Sequence, residues 1–113
     1  ICMLFSESYV KDFGDDFFEK YYIPQRTKHK IFSRALLPDN IQMHKLASND
    51  QKHLRKSKFL PNNLFKIKIE IMIYGNHKIS IISYEEKFAL IIESTQIHDS
   101  LQSIFETMWI SAK

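Results

Sequence analysis

From Lys66 to Tyr74 the sequence reads KIKIEIMIY, with Ile67, Ile69, Ile71 and Ile73 alternating against Lys66, Lys68 and Glu70. A period of two sends successive side chains to opposite faces, so the run reads as a strand with one isoleucine face and one charged face. Two further strand-like runs follow, HKISIISY (His77 to Tyr84) and FALIIES (Phe88 to Ser94), separated by Glu85, Glu86 and Lys87. Between the first two runs stand only Gly75 and Asn76, which both tolerate positive φ and so predict a tight antiparallel hairpin. The three runs together predict an antiparallel meander.

The remainder of the chain supplies the partners of that meander. ICMLF (Ile1 to Phe5) has the form of a short buried strand, ended by SES, where Ser6 or Ser8 could cap a helix. From Tyr9 to Tyr22 the residues Tyr9, Val10, Phe13, Phe17, Phe18 and Tyr21 recur at helical spacing. Asp12, Asp15, Asp16, Glu19 and Lys20 fill the other face, and Pro24 is expected to end this helix. A basic connector, QRTKHK, leads to a second strand-like run, IFSRALLP (Ile31 to Pro38), which completes a parallel βαβ unit. DNIQMHKLASND predicts a short helix capped by Asp39 or Asn40, and Leu54 to Leu60 an edge strand stopped by Pro61. The closing segment, capped by Ser94 or Thr95, sets Ile97, Leu101, Ile104, Phe105, Met108, Trp109 and Ala112 on one helical stripe. The expected fold is α/β: a mixed sheet with an N-terminal βαβ unit, a C-terminal three-strand antiparallel meander and a closing helix.

Totals narrow the function classes. A chain of 113 residues, 44% hydrophobic with 9 Phe and 5 Tyr, suits one folded domain spanning residues 1–113. The opening ICMLF has no initiator methionine, so a piece of a longer chain is expected. That apolar run is too short for a signal peptide or a membrane span of about 20 residues, and no membrane partner is expected. The lone Cys2 forms no internal disulfide and points to a reducing cytoplasm. A net charge of +3 is mild for a dedicated nucleic-acid module. Gly14 and Gly75 stand isolated, so no glycine-rich phosphate loop is present.

Three stretches carry a resemblance. FGDDFFEKYYIPQRTKHKIFSRALLP, FKIKIEIMIYGNHKISIISYEEKFALIIES and IHDSLQSIFETMWISAK together resemble the C-terminal regulatory region of TrmB-like transcriptional regulators, over nearly the whole chain. The resemblance implies an α/β core like half of a phospholipase D fold, effector sensing, and pairing of subunits. It also implies an N-terminal winged helix-turn-helix missing from this sequence, through which alone DNA would be met.

Phospholipase D chemistry needs a histidine and a lysine two residues apart on one strand face, with an acid further on. Here His77 and Lys78 are adjacent, so alternation parts them, and the position six after Lys78 is Tyr84. No catalytic residue is expected, and a phospholipase D-like phosphodiesterase or nuclease is the alternative reading. His29, His44, His53 and His98 show no HxH or HxxxH pairing and are expected to be solvated or hydrogen-bonded at the surface, so neither metal nor cofactor is expected. Two basic clusters, Arg26 to Arg34 and His44 to Lys58, remain. Arg34 and Arg55, with His77, are the candidate contacts for a sugar or anionic effector. Phe105, Met108 and Trp109 belong to a stripe that serves either the core or a homodimer contact. A pairing module without any ligand is the third reading.

Overall fold

Six strands form one mixed sheet in the order β3-β2-β1-β4-β5-β6 in this computed structural model, which describes residues 1–5, 20–21 and 23–113. The elements run β1 (Cys2–Leu4), α1 (Ile23–Lys28), β2 (Ser33–Pro38), α2 (Ile41–Ala47), β3 (Arg55–Leu60), β4 (Glu70–Tyr74), β5 (Lys78–Ser83), β6 (Phe88–Glu93) and α3 (Thr95–Ser111). β1 is the seam of the sheet: Cys2 pairs in parallel with Arg34 of β2 and antiparallel with Ile73 of β4. β2 and β3 continue the parallel half, and β4, β5 and β6 form the antiparallel meander. The expected mixed α/β architecture is therefore the one observed.

Both faces of the sheet are covered. Met3, Phe5, Ala35 and Leu37 pack with Ile23 of α1 and Met43 of α2, while Cys2, Leu4, Leu36 and Ile73 pack with Phe105 and Ala112 at α3. Adjacent residues Leu36 and Leu37 point to opposite faces and are both fully buried, which is why SRALLP reads as a continuous apolar run. Each such leucine contributes about 1.5–3 kcal/mol by leaving water. Among the described residues no helix is long and apolar enough to cross a membrane.

Several sequence expectations are corrected. The alternating run enters the sheet only at Glu70, since β1 offers Leu4 opposite Ile71 and β5 offers Ile82 opposite Glu70, leaving Lys66 to Ile69 without strand pairing. Glu70, read as part of the charged face of the alternating run, is 1% exposed, and Met72 beside it on that face packs against the core. The hairpin loop has three residues, Gly75, Asn76 and His77, between the paired Tyr74 and Lys78, and only Gly75 needs a positive φ, of 59°. Pro24 sits in the first turn of α1, where its missing N–H has no helical partner to lose, and so part of the supposed basic connector is helical. The helix expected over Tyr9 to Tyr22 lies almost wholly outside the described residues.

The open choices of cap are decided by geometry. Asn40 caps α2, its side chain accepting from the Met43 N–H at 2.9 Å, and Ser94 caps α3, its Oγ accepting from the Ile97 N–H at 3.2 Å. Asp39 instead meets His44 Nε2 at 2.7 Å. On α3 the sheet-facing set is Leu101, Phe105, Met108, Trp109 and Ala112, whereas Ile97 and Ile104 stand exposed.

Candidate functional site

Alternation along β2 aims Arg34 at the face covered by α3. Its Nη1 donates to Glu106 Oε2 at 3.1 Å, and its Nη2 donates to Glu106 Oε1 and to Cys2 Sγ, the latter at 3.3 Å. The guanidinium also lies 5.1 Å from the ring centre of Phe105 and 5.2 Å from that of Trp109, within reach of their π faces. Gln102, one helical turn before Glu106, donates to Glu106 Oε1 at 2.9 Å and to Cys2 Sγ at 3.3 Å. Lys58 of β3 reaches over Trp109 and donates to the Trp109 carbonyl at 3.0 Å, in the last turn of α3 where the helix dipole favours a cation.

This arrangement fixes charge while leaving access. Hydrogen bonding from Arg34 holds the Glu106 carboxyl below its ordinary range, and the same bond raises the already high pKa of the guanidinium. The Arg34 side chain remains 34% exposed, so a small anion or a hydroxyl-rich ring can approach it from solvent. Cys2 is a buried free thiol whose sulfur accepts from Arg34 and Gln102.

Arg55 is placed on the opposite face. Its Nε donates to Asp50 Oδ1 at 2.6 Å and its Nη2 to the Leu46 carbonyl at 2.7 Å, with the side chain only 7% exposed. It lines a cavity of about 20 Å³ with Met3, Ile23, Arg26, Ser33 and Leu46, room for about one water. Arg26, in turn, is buried and donates to the carbonyls of Ile31 and Leu54, clamping the segments that lead into β2 and β3. His77 stands exposed in the hairpin loop, its carbonyl accepting from the Ser94 N–H at 2.8 Å. The structure thus parts Arg34 from Arg55 by the thickness of the sheet and leaves His77 on a turn.

The expected pairing stripe is likewise redistributed. Phe105 is fully buried and belongs to the core, which removes it as a surface contact, while Met108 and Trp109 pack beside it. Two histidines expected at the surface, His53 and His98, are buried, His98 facing Asp99 at 3.0 Å. Among the described residues no three metal-ligating side chains gather.

Sequence reading missed Glu106 and Gln102 and did not single out Lys58 within its basic cluster, although Gln102 and Glu106 are four apart on the helix that carries Phe105 and Trp109, a spacing that shares one face. It also missed the pair formed by Glu70 and Tyr84. Tyr84 Oη donates to Glu70 Oε2, while Oε1 is buried with no hydrogen-bond partner among the described residues. Burial pushes the Glu70 carboxyl up to about 7, and the tyrosine hydrogen bond offsets part of that rise.

No family model, curated protein or solved structure matches the chain. The likeness to TrmB-like regulators rests on the three stretches quoted above.

Proposed function

We propose that the chain is a non-enzymatic regulatory domain of a TrmB-like transcriptional regulator, acting in the cytoplasm, which senses a sugar or anionic effector and pairs with a second copy. DNA contact belongs to a winged helix-turn-helix elsewhere in the longer protein. The observation that carries this reading is the Arg34 cluster, a guanidinium on a partly exposed side chain that lies against two stacked aromatic rings and pairs with a carboxylate. An anionic or hydroxyl-bearing effector arriving there competes with Glu106 for the same donors. Glu106 lies on α3, so exchange of its partner acts directly on the helix that closes the sheet, and an effector that favours one placement of α3 shifts the population of that state.

A thermal-shift screen with sugars and sugar phosphates tests the proposal. A saturating effector raises the melting temperature by several degrees, since about 100 times its dissociation constant stabilises a fold by about 2.7 kcal/mol. The rise disappears in Arg34→Ala and persists in His77→Ala. A screen in which no sugar or anion moves the melting temperature overturns the sensing half of the reading, and phosphodiester hydrolysis lost in His77→Ala overturns its non-enzymatic half.

A further inference from the structure

The two edges of the sheet are finished differently. On β3 three of the outward groups are occupied by the chain itself: the Arg55 N–H donates to the Asp50 carbonyl at 2.9 Å, the Ser57 N–H to Asp50 Oδ2 at 2.8 Å, and the Phe59 carbonyl accepts from the Lys113 N–H at 3.0 Å. Arg55, Lys56 and Lys58 add charge along the same strand, a common protection against edge pairing. β6 has neither device. Its sequence FALIIE holds no proline and no charge before Glu93, and Phe88, Leu90 and Ile91 are 48%, 41% and 64% exposed.

Backbone parity states which groups of β6 are free. The Ser94 N–H bonds to the His77 carbonyl, so in this antiparallel pair the even residues Phe88, Leu90 and Ile92 bond toward β5. The N–H and C=O groups of Ala89, Ile91 and Glu93 therefore point away from the sheet, and among the described residues none of them has a partner.

We propose that β6 pairs antiparallel with β6 of a second copy, Leu90 opposite its own counterpart, joining the two sheets into one. The inference rests on the pairing half of the function proposed above and names its surface. Free groups on odd residues admit only registers that set odd residues against odd ones. Of these, the Leu90-centred register opposes Phe88 with Ile92 and Ala89 with Ile91, and it leaves Glu93 just beyond the paired apolar segment. Shifting the centre to Ile91 sets Phe88 against Ser94 and Ala89 against Glu93, and shifting it to Ala89 leaves Ile91 and Ile92 opposite the turn that ends at Lys87, whose φ of 54° takes it out of the strand. Only the Leu90-centred register pairs all five apolar residues from Phe88 to Ile92 with one another. The contact is self-complementary about a two-fold axis, so it closes at two copies and leaves no further edge of this kind.

The test uses the whole chain. Sedimentation gives a dimer, and Ile91→Lys, a change at an exposed side chain, weakens it at least about tenfold, or about 1.4 kcal/mol. Leu90→Cys forms an intermolecular disulfide on oxidation, because directly opposed residues of a non-hydrogen-bonded antiparallel pair have their Cα atoms about 4.5 Å apart, within disulfide reach. Ile91→Cys, facing Ala89, does not. A dimer that survives Ile91→Lys and is not cross-linked by Leu90→Cys overturns edge pairing while leaving subunit pairing intact. A monomer at all concentrations overturns both, and oligomers larger than two overturn the closed arrangement.

Discussion

Arg34 of β2 and Glu106 of α3 meet through both guanidinium Nη atoms, tying the centre of the sheet to the helix that covers it. The pair is partly exposed, so its ionic part is screened and contributes about 1 kcal/mol or less. Arg34 also packs against the stacked rings of Phe105 and Trp109. Glu106→Gln is therefore expected to cost about 1 kcal/mol and Arg34→Ala more, since the latter removes the packing as well. Urea unfolding at low and high salt checks this: the Glu106→Gln penalty shrinks in salt and the Arg34→Ala penalty largely stays.

The Glu70 carboxyl gives the fold a pH dependence. Its pKa in the folded chain is about 7 against an ordinary 4.5, so between these values the native state binds more protons than the unfolded one. Stability linked to this group is fully present below pH 4.5 and is lost as the pH rises to about 7, a change on the order of 3 kcal/mol. Glu70→Gln keeps an acceptor for Tyr84 and removes the titration. Melting curves from pH 5 to 8 should fall with pH in the parent chain and flatten in Glu70→Gln; parallel slopes would refute the assignment.

Asn40 holds the first turn of α2 through the Met43 N–H and also donates to Asn62 at 3.0 Å. Asn40→Ala should lower stability by about 1 kcal/mol, and Asn40→Asp, which preserves the accepting oxygen, by less. Chemical denaturation distinguishes the two, and equal losses would mean that the cap contributes little.

Phe105 is fully buried between α3 and the sheet. Phe105→Ala leaves a cavity under Arg34 and is expected to cost about 3–5 kcal/mol. Ile110→Ala, on the exposed side of the same helix, should cost less than about 0.5 kcal/mol. Circular dichroism melts compare the two directly.

Much of the architecture was legible because periodicity is local. The alternation of Ile71 and Ile73, the apolar run from Ala35 to Leu37 and the Phe105, Met108, Trp109 stripe each name a buried face without reference to any other segment. Boundaries were less legible, since they depend on partners: the run from Lys66 reads as strand throughout, yet pairing begins at Glu70, where β1 and β5 end. The candidate site was legible only in part. Arg34 was identifiable as a basic residue inside an apolar strand, but its carboxylate partner lies 72 residues away on α3, and no spacing rule links them.

By itself the sequence determined the six strands in their order, the helices that follow β2 and β6, and the mixed parallel and antiparallel sheet, because side-chain period and turn chemistry act over a few residues; the short α1 it read as a connector. Only the tertiary structure decided which charges are buried. Glu70 and Lys68 occupy equivalent places in an alternating run, yet Glu70 is a buried acid that meets the buried Tyr84 while Lys68 stays at the surface. The same holds for the arginines: a two-sided sheet, set by distant helices, sends Arg34 to one face and Arg55 to the other.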